Sequence, residues 1–151
     1  MPRIRLDTFI QAPPQRVFDL SVDVDVHMAS SSPSNERAVA GVTTGRMRLD
    51  DEVEWRATHF GIPWRMRSRI TAVDEPHCFI DEMQRGPFRR WHHTHRFIPL
   101  DGGTRMVDEV RYEAPLGLLG RIVERAVLHE YMTRLLAARN AHIKQVAEGE
   151  P

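Results

Sequence analysis

Apolar and polar residues alternate along much of the chain, which predicts β-strands that are buried on one face. Residues 3–10 place apolar Ile4, Leu6 and Ile10 between charged neighbours, a pattern typical of a first strand. From residue 36 to 114 similar segments follow one another, separated by turns that contain glycine, proline or aspartate. The clearest of these strands are predicted at 52–60, 64–73, 78–84, 88–98 and 104–113. Short turns between successive strands favour antiparallel hairpins, and the lack of βαβ alternation argues against a Rossmann-like fold.

Helical segments flank this series of strands. Short helices are predicted at 12–20 and 23–30, and a serine-rich loop follows at 30–35. Residues 118–147 are predicted to form one long helix, because apolar residues recur at helical spacing. The members of this stripe are Leu119, Ile122, Val123, Ala126, Val127, Tyr131, Leu135 and Ala138. The charged residues assigned mostly to the opposite, solvent-facing side are Arg121, Glu124, Arg125, Arg134, Arg139 and Lys144. Such a helix must cover one face of the sheet, so we expect the sheet to curl around it.

Composition narrows the class of protein. The 151 residues fit a single domain, predicted at 1–151, and 21 Lys plus Arg balance 21 Asp plus Glu. This balance argues against nucleic acid and anionic membranes as partners. The single Cys78 excludes an internal disulfide and a zinc site built from several cysteines. No apolar run approaches the roughly 18 to 20 residues of a membrane span, and no signal peptide is evident, so a cytoplasmic protein is expected.

Charge also indicates which side of each strand faces the core. Arg65, Arg67 and Arg69 cannot be buried cheaply, so their neighbours on the same strand must point inward. The same test on the other strands yields an inward set that combines aromatic and ionisable side chains. The members of interest are Trp55, His59, Trp64, Asp81, Trp91, His93, His95, Phe97 and Asp108. A mostly apolar pocket with a few convergent polar groups is typical of a ligand site.

Three interpretations of His93, His95 and Asp108 stay open at this point. They form a structural polar network, bind the polar end of an apolar ligand, or perform acid–base catalysis with a histidine that an aspartate orients. His93 and His95 share a strand face and, with His59 and Asp108, make a metal site conceivable, but no metal or cofactor is predicted. Tyr131 lies on the apolar stripe of the long helix, where its hydroxyl could reach a ligand.

Several short motifs resemble one known superfamily. Residues 10–19 (Ile-Gln-Ala-Pro-Pro-Gln-Arg-Val-Phe-Asp) resemble the opening of START-like, or SRPBCC, domains. Residues 59–64 (His-Phe-Gly-Ile-Pro-Trp), 86–91 (Gly-Pro-Phe-Arg-Arg-Trp) and 114–117 (Ala-Pro-Leu-Gly) are similar to a bacterial ligand-binding branch that includes polyketide cyclase/dehydrase-like proteins. The resemblance covers nearly the whole chain. It implies an α+β helix-grip fold, in which a seven-stranded antiparallel sheet curls around a long C-terminal helix, with two short helices after strand 1.

The resemblance implies an internal cavity but no shared activity, because this fold hosts many functions. We therefore expect the protein to bind a small hydrophobic molecule, whether aromatic, lipid-like or polyketide-like. A polyketide cyclase or dehydratase that uses His/Asp acid–base chemistry is the alternative. A protein–protein interaction module is the third interpretation, and a homodimer stays open.

Overall fold

The computed structural model describes residues 2–30, 34–114 and 127–149. Within them the chain forms seven strands and three helices. In chain order these are β1 (Arg3–Ile10), α1 (Pro14–Ser21), α2 (Val24–Ser30), β2 (Arg37–Gly41), β3 (Glu52–His59), β4 (Ile62–Asp74), β5 (Cys78–Arg85), β6 (Arg90–Leu100), β7 (Gly103–Glu113) and α3 (His129–Glu148). No helix in these three ranges is long and apolar enough to cross a membrane.

The seven strands form one antiparallel sheet in the order β1-β7-β6-β5-β4-β3-β2. Strands β2 to β7 are neighbours in chain order, as the short turns predicted. The first strand joins the far edge beside β7, and the chain returns to the opposite edge through α1 and α2. Helix α3 packs against both short helices and β1. This arrangement confirms the predicted α+β helix-grip fold.

The two faces of the sheet divide as the charge pattern predicted. Trp55 and Ser68 on β3 and β4 are both 6% exposed and join through a hydrogen bond of 3.2 Å from Trp55 Nε1 to Ser68 Oγ. On the outer face Arg67 Nε donates to Glu52 Oε1 across the same pair of strands, at 2.7 Å. On β5, Phe79 is buried and Asp81 points to the same side, which confirms the assignment of that strand. The polar residues predicted inside therefore lie inside.

Helix α3 departs from its prediction in two respects. The helix was predicted at 118–147, and its residues 118–126 lie outside the described residues. The same is true of residues 31–33 in the loop predicted at 30–35. Val127 was predicted to lie on the apolar stripe, but it is 50% exposed. Arg139 was predicted to face solvent, but it is only 5% exposed. The buried stripe is formed by Leu136, Arg139, Asn140, Ile143 and Ala147. The charge of Arg139 favoured a solvent-facing position, but the spacing of its buried neighbours places it toward the sheet.

Candidate functional site

A cavity of about 150 Å³ lies between the inner face of β3 to β6 and helix α3. Much of its wall is aromatic. A cluster of ionisable side chains, formed by Asp81, His93, His95 and Arg139, lines the part that we call its inner end. Eight of the sequence-predicted residues line it: Trp55, His59, Trp64, Asp81, Trp91, His93, His95 and Tyr131. Strand alternation explains this convergence, because residues two apart on each strand present their side chains to the same face.

Two predicted residues do not line the cavity. Phe97 is 1% exposed and packs edge-on against Phe18 of α1, with ring centroids 5.5 Å apart. Helix α1 covers this end of β6, so Phe97 belongs to the hydrophobic core. Asp108 is 1% exposed, and its carboxylate is covered by His93 and Arg139. The prediction that Phe97 and Asp108 lie in the cavity wall is therefore wrong, and Asp108 can influence a ligand only through the residues it holds.

Two histidine–aspartate pairs lie at the inner end of the cavity, one of them with its aspartate behind the wall. His93 Nε2 lies 2.8 Å from Asp108 Oδ1, and His95 Nε2 lies 2.6 Å from Asp81 Oδ2. Both histidines come from β6, two residues apart, and their rings stack with centroids 3.6 Å apart. The aspartates come from the strands on either side, since Asp81 pairs with His93 in the β5–β6 register and Asp108 with His95 in the β6–β7 register. Three neighbouring strands therefore hold the cluster together.

Helix α3 completes this cluster with two residues that the sequence analysis missed. Arg139 Nη1 donates to Asp108 Oδ1 at 3.3 Å, and Asn140 Nδ2 donates to Asp108 Oδ2 at 2.8 Å. Arg139 Nη2 also lies 3.4 Å from His95 Nδ1. Two signals could have revealed these residues. Asn140 falls between buried residues at helical spacing, and two aspartates predicted inside a small core require a nearby cation.

The environment determines the protonation of the cluster. Burial and the neighbouring His95 lower the pKa of His93 to about 4, although Asp108 and Asp81 oppose this. Burial raises the pKa of Asp108, but hydrogen bonds from both histidines and the charge of Arg139 outweigh burial and hold that pKa well below its usual range. Near neutral pH, His93 is therefore uncharged and Asp108 ionised. His93 Nε2–H donates to Asp108, and its Nδ1 is left as an acceptor, 3.9 Å from Asp81 Oδ2.

The outer end of the cavity has a second polar contact. The hydroxyl of Tyr131 on α3 forms a hydrogen bond of 2.7 Å with His59 Nδ1, and burial lowers the pKa of His59. The ring of Phe60 lies against Tyr131, with centroids 4.4 Å apart. Between the two ends, Trp64 Nε1 is buried and has no hydrogen-bond partner among the residues that the structure describes. A buried donor without a partner is costly, so it is a natural contact for an acceptor on a bound molecule.

Comparison with known families agrees with this architecture. The family model described as polyketide cyclase/dehydrase and lipid transport matches residues 1–148. The chain belongs to this family. The START-like resemblance of the sequence motifs is thus confirmed. Membership of this family does not by itself identify a ligand or a reaction.

Solved structures support the same fold for this member of the family. The protein TTHA0849 from Thermus thermophilus is 25% identical, with 94% of this chain and 97% of that chain covered and a TM-score of 0.74. A START superfamily protein from Mycobacterium smegmatis is 15% identical, with coverage of 95% and 98% and a TM-score of 0.72. The ginseng major latex-like protein 151 from Panax ginseng is 12% identical, with 98% of each chain covered and a TM-score of 0.67. A comparison with curated proteins gave no match.

Proposed function

We propose that the protein binds a compact, largely aromatic molecule in the cavity between the sheet and α3. The observation that carries the proposal is the combination of an aromatic wall with polar groups gathered at the inner end. Trp55, Trp64 and Trp91 offer flat apolar surface, while Asp81 and His93 offer acceptors. Ligand sites commonly combine a hydrophobic lining with a few polar groups that fix orientation.

The volume of the cavity limits the size of the ligand. A cavity of about 150 Å³ is below the ~300 Å³ at which drug-sized pockets begin. Engineered apolar cavities of about 150 Å³ hold a single benzene ring. One or two fused rings therefore suit this cavity better than an extended acyl chain.

Hydrogen-bonding groups define the polar chemistry of the ligand. At the inner end, the ionised Asp81 and the free nitrogen of neutral His93 both accept hydrogen bonds. They would therefore select a donor such as a phenolic or alcoholic hydroxyl. Trp64 Nε1 offers a donor toward an ether or carbonyl oxygen of the same molecule. A hydroxylated aromatic compound meets the first requirement, and one that also carries an ether or carbonyl oxygen meets both.

Acid–base catalysis on a polyketide-like substrate is the second candidate function. The contact of 2.8 Å between His93 and Asp108 favours it, because an aspartate that orients a histidine is a common catalytic arrangement. The pKa of His93, about 4, weakens this candidate. A general base works best when its pKa is close to the working pH, and His93 is a poor base at neutral pH. Binding is therefore the function that the site supports best.

Titration with 2-naphthol tests the proposal, with quenching of tryptophan fluorescence as the readout. We expect saturable binding of one molecule per chain. Replacing cavity-lining Ala57 by leucine fills part of the space and should weaken binding at least tenfold. The matched control is Ala137→Leu on the exposed side of α3, which should leave the affinity unchanged.

Three results would count against the proposal. Quenching that does not saturate, or that is equal in the Ala57→Leu protein, places naphthol outside the cavity. Palmitate that binds as tightly as naphthol contradicts the argument from size. Turnover of a polyketone that His93→Gln abolishes, with a pH–rate profile that follows one histidine, supports the enzyme instead.

A further inference from the structure

We propose that Asp81, His93 and His95 bind one divalent transition-metal ion at the inner end of the cavity. This inference goes beyond binding of an organic molecule, and its test does not depend on any such molecule. It rests on the positions of the three side chains, on the residues behind them, and on the charge of the cluster.

The three side chains are arranged as ligands of a single ion. Each offers one ligand atom, and these atoms all lie within 4.8 Å of one another. Asp81 Oδ2 is 2.6 Å from His95 Nε2 and 3.9 Å from His93 Nδ1. Ligands about 2.1 Å from a tetrahedral ion are about 3.4 Å apart, which falls between these two distances. Two imidazoles and one carboxylate are a set that zinc and iron(II) both accept.

Asp108 provides the supporting contact that such histidines usually have. It lies behind the rings, with Oδ1 at 2.8 Å from His93 Nε2 and at 3.3 Å from His95 Nδ1. In each ring this is the nitrogen that would not face the ion. A histidine that binds a metal commonly donates its other N–H to a carboxylate, which fixes the ring and raises its basicity. One buried carboxylate thus serves both proposed ligands, while Arg139 and Asn140 hold it in place.

The charge of the cluster also favours a cation. Asp81 and Asp108 carry two negative charges, and Arg139 supplies one positive charge. When both imidazoles are neutral, one negative charge remains in a mostly buried environment, which is energetically costly. A divalent ion would neutralise this excess negative charge.

The adjoining cavity gives the ion room for further ligands. The cavity is lined by all three proposed ligands, Asp81, His93 and His95. The side of the ion that faces away from these ligands would therefore face the space of the cavity. The rings of His93 and His95 are stacked at 23° to each other. Coordination requires the rings to rotate apart, so that Nδ1 of His93 and Nε2 of His95 point at the same ion. Three protein ligands with an open position are the arrangement of catalytic rather than structural metal sites.

Titration of the chelator-treated full chain with Co²⁺ tests this inference, because cobalt in a site with nitrogen and oxygen ligands absorbs visible light. We expect one ion per chain, with Zn²⁺ displacing it. Asp81→Asn removes a ligand and should weaken binding more than 100-fold. Asp108→Asn removes only the support behind the rings and should weaken it about 10- to 100-fold.

His92→Ala is the matched control, because His92 is on the same strand but faces away and lies near Glu82. It should bind cobalt as the parent chain does. The inference is overturned if the parent chain takes up no cobalt at micromolar concentrations. It is equally overturned if folded Asp81→Asn retains full affinity. If Asp81→Asn does not fold, His95→Gln takes its place with the same expected loss.

Discussion

Arg139→Met removes the guanidinium that faces Asp108 while it keeps most of the length of the side chain. Asp108 is 1% exposed and would retain its hydrogen bonds from His93 and Asn140, but its negative charge would lose the nearby cation. Removal of one partner from a buried ion pair costs about 3–5 kcal/mol, because the other charge stays buried. The remaining hydrogen bonds place the expected loss of unfolding free energy near the lower limit, about 3 kcal/mol.

Thermal unfolding followed by circular dichroism measures this loss. For a domain of this size each kcal/mol lowers Tm by about 2–4 °C, so Arg139→Met should lower it by roughly 6–12 °C. The control is Arg134→Met on the same helix. The side chain of Arg134 is 77% exposed and pairs with Glu130 one turn away, and such surface pairs contribute about 0.3–0.5 kcal/mol.

The pH dependence of this loss distinguishes a charge effect from a packing effect. Without Arg139 the pKa of Asp108 should rise, so the mutant can relieve the unpaired charge by taking up a proton. The difference in stability should therefore be largest near neutral pH and shrink as the pH falls. Arg139→Met combined with Asp108→Asn should cost less than the two single changes added together. A loss of Tm no larger than that of Arg134→Met would refute the reasoning about the buried charge.

Two further predictions concern a buried histidine and the glycine that begins β7. The pKa of His93 is about 4 in the folded chain against 6.5 as its ordinary value, so the unfolded chain binds more protons between these pH values. Urea unfolding should thus show that the free energy of unfolding falls by about 3 kcal/mol from pH 7 to pH 4 because of His93. His93→Gln should reduce this pH dependence. An equal pH dependence in the variant would contradict the low pKa assigned to His93. A Cβ at Gly103 would lie 2.1 Å from the carbonyl oxygen of Ile10, whereas one at Gly102 (φ +79°) would meet nothing within 4 Å. Gly103→Ala should therefore lower Tm more than Gly102→Ala, which costs only the ~1–2 kcal/mol of a left-handed backbone, and the reverse order would contradict the clash.

The strands and their inward faces could be predicted from the sequence because alternation and charge are local signals. The strand 3–10 matches β1 residue for residue, and the arginines on β4 indicated its outer face correctly. Asp81 was assigned inward from its spacing to Phe79 alone, and it lies in the cavity wall. On a strand, the side of the sheet follows from parity once one residue is anchored.

The site was predicted less completely, because its remaining members depend on contacts between distant segments. Phe97 has the same parity as His95, and parity does not reveal that α1 covers that end of the strand. Arg139 carries a charge that favours solvent, and its burial follows from the position of Asp108 on β7. Tertiary packing decided both cases. The burial of Arg139 could have been predicted, because the two aspartates predicted inside need a positive charge nearby. No local pattern in the sequence indicates that Phe97 lies under α1.

The place of β1 in the sheet has a consequence for how the chain is made. Asp7 on β1 pairs with Val107 on β7, so the first strand gains its partner only after one of the last segments has been synthesised. A ribosome adds about 5–20 residues per second, and the ~100 residues between them take roughly 5–20 s. Throughout this interval β1, with its apolar residues Ile4 and Ile10, lacks the strand with which it pairs. Chaperones that bind short apolar segments can therefore bind β1 during this interval.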